Sequence, residues 1–314
     1  MLPGDTAFGL YPPYCIVEYF EPNYTKGTAV SQLPQLLISG ILAGGLYGII
    51  SVGLTLIFGV LNLVNFAHGE FLMVSMYVTF GFSQLLHLNP YISLPLVVLV
   101  MFGFGLVLQN IFVRPVVEAT HDVQIVVSLG LSTIMQNAAL MAFGGNLRVL
   151  KTPLSESMIE IGGVFLNTQR LLTFFIAIAA TALLYVYLRK SYFGKAIRAT
   201  AQDSRAARLA GINVPFVYMI TYGIGIALVG IAGACLMPLF PVYPTIGWHF
   251  ANICFIAVVL GGLGSIPGAM VGGIIIGVIE SVAGFYLGSE FQQAAYFVVF
   301  ILILIVRPMG LFKK

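Results

Sequence analysis

Leu54 to Tyr77 reads LTLIFGVLNLVNFAHGEFLMVSMY, an apolar run that a bilayer would accept but for Asn62, Asn65, His68 and Glu70 within nine positions. An ionisable side chain at membrane depth costs roughly 2.5–3.5 kcal/mol on insertion scales. A carboxylate beside an imidazole and two carboxamides is therefore expected away from lipid, lining a polar path or a seam between proteins. If the segment stays helical, Asn62, Asn65 and Gly69 share one face with His68 beside Asn65, and Glu70 points elsewhere. Asn65 and His68 then either line that path or bond across to a neighbouring helix. Glu70 can also complement the positive end of a helix that starts beside it.

The rest of the chain matches this setting. Hydrophobic residues make up 59% and charged residues 8%, with a mean hydropathy of +1.01; soluble domains carry about 25% charge. Long unbroken apolar runs argue for an all-α polytopic membrane protein in contact with lipid, and against a β-barrel with its short alternating segments. Runs near 35–60, 64–83, 91–113, 123–143, 171–188, 216–239, 247–262, 269–287 and 291–306 are each about long enough to cross. The first reads as one tilted helix or a broken pair, so eight or nine crossings are expected. Its glycines (Gly40, Gly44, Gly45, Gly48, Gly53) are spaced to let another backbone approach. Glu280, mid-span in GVIESVAG, is a second buried acid, lining the pathway or pairing between helices. Cys15, Cys235 and Cys254 are too few and too scattered for a disulfide framework or a zinc site, and no metal is expected.

Charge sets the orientation. Arg189, Lys190, Lys195, Arg198, Arg205 and Arg208 fall within 189–208, and Arg307, Lys313 and Lys314 close the chain, nine of fourteen basic residues. Both segments are expected to be cytoplasmic, as is Arg114–Asp122, with 144–170 and the N-terminus outside. The net charge of +3 speaks to membrane orientation and gives no case for nucleic acid. Residues 1–34 read as an extracytoplasmic polar extension, and 35–314 as the transmembrane domain.

Two connections stand apart. RKSYFGKAIRATAQDSRAARLAGINV, 189–214, reads as a short amphipathic helix in the membrane plane, stopped at Gly211. On a helix Ile197, Ala201 and Ser204 share one side, with Arg198, Arg205 and Arg208 round the other. It serves as a positive anchor or as a docking element for a cytoplasmic partner. LGGLGSIPGAMVGG, 260–273, breaks the helix at Gly262, Gly264, Ser265, Pro267 and Gly268, either as a tight turn or as a discontinuous helix on a pathway.

Several blocks resemble branched-chain amino-acid ABC transporter permeases. These are NFAHGEFLMVSMY (65–77), RPVVEA (114–119), LGLSTIMQNAALMAFG (129–144), IRATAQDSRAARLAGINV (197–214), VVLGGLGSIPGAMVGGIIIGVIES (258–281) and RPMGLF (307–312). The resemblance implies a type II ABC importer-like fold and a multi-pass subunit of a bacterial inner-membrane importer. Its partners would be a second related permease, two cytoplasmic ATPases and an extracytoplasmic solute-binding protein. The solute would be a branched-chain or other hydrophobic amino acid, or in related systems urea or short amides. In a general ABC permease pattern Glu-Ala-Ala precedes Gly by four positions. Here Arg205, Ala206 and Ala207 precede Gly211, so with Arg198, Asp203 and Arg208 they are the expected ATPase-coupling residues, but with Arg in place of Glu.

The residues themselves offer no catalyst. A phosphate-cradling P-loop needs G-x-x-x-x-G-K-[ST], and Gly194-Lys195 lacks both the earlier glycine and the following hydroxyl residue. His68-x-Glu70 lacks the P-C-x-x-C that zinc deaminases require. No cofactor is expected on this chain, and ATP with Mg is expected on partner ATPases. The rival from another class is a stand-alone carrier or channel driven by the solute gradient.

Overall fold

The computed structural model describes residues 29–155, 157–161, 163–307 and 310–312. The extension expected at 1–34 falls almost wholly outside them. Eleven α-helices and one short hairpin follow in order: α1 Ala29–Leu61, α2 His68–Leu86, α3 Pro90–Leu108, α4 His121–Phe143, β1 Met158–Ile161, β2 Val164–Asn167, α5 Thr168–Lys190, α6 Tyr192–Gln202, α7 Ser204–Leu209, α8 Val214–Leu236, α9 Ile246–Gly261, α10 Ile266–Leu287 and α11 Gln292–Val306. The protein is an all-α polytopic membrane protein. Among the described residues seven helical segments are long and apolar enough to cross a membrane. The expected nine runs all appear as helices. Of the two outside the seven, α9 is short, and α2 begins with His68, Gly69 and Glu70.

α1 is the central mast. In its apolar window 83% is buried, against 28% for α3, α4 and α5 and 6% for α11, so those four helices turn most of their surface to lipid or to partners. Glycines set the closest contacts. A Cβ on Gly44 would fall 2.5 Å from the Ile274 Cα, and one on Gly40 would fall 2.7 Å from the Val278 Cα. Gly273 and Gly277 return the contact from α10 against Gly48 and Gly44. Lipid tails are as apolar as any side chain, so helices in a bilayer gain by backbone approach of this kind.

The connections sort to two ends. At one end Gln35 of α1 exchanges hydrogen bonds with the Phe165 backbone (2.6 and 2.8 Å), and Arg148 pairs with Val242 as an isolated bridge. At the other, Arg208 lies 3.6 Å from Glu118. There the Leu311 N–H donates to Leu260 O at 2.9 Å, and one groove is lined from 58–62, 200–205, Tyr218, Leu263 and Gly264. The stretches that charge counting groups together therefore share one end.

Two local expectations are corrected. The chain is not helical through 62–67: α1 stops at Leu61, Asn62 takes a left-handed φ of 52°, and α2 starts at His68. The 189–214 connection holds two helices, because the Asp203 side chain accepts from the Arg205 and Ala206 N–H groups and starts α7 afresh. The buried side of α6 is Gly194, Ile197 and Thr200, and Ala201 is exposed.

Overpacking a close-packed core costs about 1–3 kcal/mol, so Gly44→Leu is expected to lower the thermal midpoint of the purified protein in detergent clearly. Gly103→Ala, which meets nothing within 4 Å, is expected to leave it unchanged.

Candidate functional site

The break at 62–67 carries the chain back into the bundle. His68 Nε2 lies 3.0 Å from Ile50 O, and Ile50 is eleven residues short of the end of α1, about 16 Å along its axis. Glu70 meets Ser132, eleven residues into α4, again about 16 Å from its start. The hydrocarbon core is about 30 Å thick, so both measures put the start of α2 near mid-depth. Irregular backbone is tolerated there only when protein covers it. Ser128 Oγ accepts from the Phe66 N–H at 3.2 Å, and Asn65 Oδ1 accepts from the Ala67 N–H at 3.1 Å. Asn65 Nδ2 in turn donates to the Tyr222 hydroxyl at 3.0 Å.

Glu70 is 1% exposed. Its Oε1 accepts from Gln136 Nε2 at 2.7 Å and from Ser132 Oγ at 3.2 Å, while Oε2 has no hydrogen-bond partner. Gly69 touches Gly247 backbone to backbone, and a Cβ on Gly247 would lie 2.6 Å from Glu70 Oε2. The N-termini of α2 and α9 thus converge on this carboxylate, and the positive end of a helix macrodipole favours a negative charge.

The other expected residues lie elsewhere. Asn62 is exposed and lines the groove at the basic end, away from Asn65, His68 and Glu70. Glu280 is buried where α10 meets α1, accepts from the Tyr47 hydroxyl, and feels the charge of Arg170 at the start of α5. These contacts join α10 to α1 and α5, while Glu280 Oε2 has no hydrogen-bond partner. Gly262 (φ 97°), Gly264 (φ 88°) and Ser265 form a tight turn between α9 and α10 at the groove, with Pro267 and Gly268 in the first turn of α10. Ser265 Oγ accepts from the Gly268 N–H at 3.2 Å and caps α10.

In the elbow, Arg198 Nη1 donates to Leu188 O at 2.6 Å and ties α6 to the end of α5. Asp203, Arg205, Ala206 and Arg208 are exposed, Ala207 is buried against its own chain, and Gly211 (φ 84°) turns the chain toward α8. Leu209 and Tyr192, 91% and 88% exposed, are apolar knobs on this polar surface. Among the described residues no group of three or more His, Cys, Asp or Glu is placed to hold a metal.

The family model described as "Branched-chain amino acid transport system / permease component" matches residues 36–307. The chain is 31% identical over 293 residues to the high-affinity branched-chain amino acid transport system permease protein BraD of Pseudomonas aeruginosa, covering 89% of this chain and 95% of that protein. The LivH permease of Escherichia coli K12 gives the same identity and coverage. A probable LivH of Methanocaldococcus jannaschii is 28% identical over 88% of this chain and 91% of its own length. The chain belongs to the branched-chain amino acid transport permease family. No solved structure matches it.

Sequence reasoning about this permease missed Ser132, Gln136 and Tyr222, the partners of Glu70 and Asn65. A signal existed: Gln124, Ser128, Ser132 and Gln136 repeat every fourth residue within an apolar helix; the last three bond to Phe66 and Glu70, and Gln124 to the connection before α4.

In the permease elbow, hydrogen bonds from the Ala206 and Arg205 N–H groups hold the Asp203 carboxyl below its usual range. A carboxyl acid-strengthened by folding stabilises the folded form above its ordinary pKa, and that contribution is lost as pH falls through the lowered value. Amide-exchange protection at Arg205 and Ala206 is expected to persist from neutral pH down to the ordinary aspartate value of 3.8. It should collapse only at more acid pH, and Asp203→Ala should remove it throughout.

Proposed function

We propose that this permease is the membrane-spanning half of an importer for branched-chain or other hydrophobic amino acids in a bacterial inner membrane. A second related permease completes the pore. Two ATPases bind ATP and Mg on the cytoplasmic side, and a solute-binding protein delivers solute from outside. The observation that carries the reading is the end where α6, α7, the α9–α10 turn and the C-terminal residues meet. It gathers Arg189, Lys190, Lys195, Arg198, Arg205, Arg208 and Arg307, and basic loops remain on the cytoplasmic side. The C-terminus is therefore cytoplasmic.

An exposed two-helix elbow with Leu209 and Tyr192 standing out from it supports docking. Coupling then runs from ATPase closure through α7 to the groove it shares with the end of α1 and the α9–α10 turn. The names of relatives at 28–31% identity over most of the chain support hydrophobic amino acids over short amides.

Reversing the elbow's charge tests this. In the complete transporter reconstituted in liposomes, Arg205→Glu with Arg208→Glu is expected to cut amino-acid uptake by about tenfold or more, since a like-charge contact costs several kcal/mol at an interface. Membrane insertion should be unchanged. Uptake equal to wild type would overturn the docking assignment, and solute flux through this chain alone would favour a stand-alone carrier.

A further inference from the structure

α4 meets the rest of the bundle chiefly through α2, and the seam between them is polar. Gln124, Ser128, Ser132 and Gln136 face inward, and Glu70 sits behind the last two. One step round the helix, Thr133 is exposed near mid-depth and Asn137 one turn beyond it, among Leu129, Ile134 and Met141. They are satisfied within α4: Thr133 Oγ1 donates to Leu129 O at 3.0 Å, and Asn137 Nδ2 to Thr133 O at 2.8 Å. A carboxamide exposed at that depth is disfavoured against lipid, and polar groups inside a membrane mark solute and ion paths. Gln136, half-buried, stands between this open face and the Glu70 carboxylate.

We propose that Glu70 is a station on the solute path, receiving the ammonium group of a zwitterionic amino acid that travels along the Thr133–Asn137 face. The inference rests on the importer reading and deepens it. Three features carry it. The carboxylate is nine-tenths buried or more, with Oε2 unpartnered where it packs against Gly247 and Oε1 turned to the donors of α4. The helix N-termini beside it favour its charge. Its covering groups are movable side chains of α4. When the ammonium takes Oε1, the displaced Gln136 amide and Ser132 hydroxyl are donors for the solute's own carboxylate, so both charges of the zwitterion meet a partner at one level. An ion pair in a low-dielectric setting is far stronger than in water, which makes one such station sufficient for a path that is otherwise weakly polar.

The test uses the complete transporter in liposomes, with leucine as the solute. Glu70→Gln keeps both hydrogen bonds and removes the charge. Leucine uptake is expected to fall by about tenfold or more, the scale of a lost charged hydrogen bond, while ATPase stimulation by loaded binding protein stays within about twofold of wild type. Glu70→Asp should restore part of the uptake. Asn137→Cys should react with a water-soluble cationic thiol reagent in the nucleotide-free or the vanadate-trapped complex.

Uptake by Glu70→Gln within about twofold of wild type, or loss of uptake and ATPase stimulation together, would overturn the proposal. So would an Asn137→Cys that stays unreactive in both states, a readout that holds even if Glu70→Gln fails to assemble. A wild-type complex that hydrolyses ATP yet carries no amino acid would overturn the importer reading first, and this inference with it.

Discussion

No water is at hand inside a bilayer to satisfy a freed backbone group, and that constraint shapes this permease around its six-residue break. Once α1 stops at Leu61, the N–H groups of the return segment must find partners inside the protein. Four N–H groups in and beside the break do so. Asn62 donates to Phe58 O (2.9 Å), Phe66 to Ser128 Oγ (3.2 Å), Ala67 to Asn65 Oδ1 (3.1 Å) and His68 to Asn65 O (3.4 Å). Asn65 serves twice, closing the turn with its carbonyl oxygens and gripping Tyr222 with its amide. The polar residues of the signature stretch are thus in part the cost of turning a chain at mid-membrane. Glu70, with a spare oxygen and side chains of another helix over it, goes beyond that need.

The turn works because the mast beside it admits close neighbours. Gly53 leaves room for the Gly225 backbone and for the edge of the His68 ring, which a Cβ there would meet at 2.6 and 3.5 Å. Without that clearance α8 could not approach α1 so closely at this level, whereas the His68 ring would meet only ordinary van der Waals contact. The Gly69–Gly247 contact does the same for α9. Both glycines lie in the first turn of a helix, so two chain ends come together where side chains would hold them several ångströms apart. Packing and polarity are one design here: small residues let backbones meet, and meeting backbones bring two positive helix ends to one carboxylate.

Much of this was legible in the sequence, and the reasons differ by feature. The nine apolar runs predict the long helices to within a few residues, because about 20 apolar residues have one stable conformation in lipid. The grouping of 114–122, 189–214 and the chain end follows from charge alone. The path of 62–67 was not legible. A helical wheel drawn through Asn62 and Asn65 assumes continuity, and only the three-dimensional demand for partners shows where the helix gives way. The second start at Asp203 was readable in principle, since an aspartate followed by a short helical run is a capping signal. The stronger periodic signal from Ile197 to Arg208 concealed it. Ser132 and Gln136 lie within a family block, but their contacts with Glu70 span more than 60 residues of sequence and leave no local trace.

The two helices outside the seven, α2 and α9, are the ones whose N-termini meet at Glu70. α9 is left out by its length and α2 by the polar residues at its start. Both are wrapped by other helices, and most of their residues are buried. Released from the need to be greasy on every side, they can begin at mid-depth with glycine, histidine and glutamate. The apolar helices α3, α4, α5 and α11 then form the wall around the buried α1 and α8, and α2 carries polar chemistry into the interior. α4 joins the two classes. It is long enough to be wall and turns hydrophobic residues outward, yet its inner edge bears the hydroxyl and amide that hold Glu70.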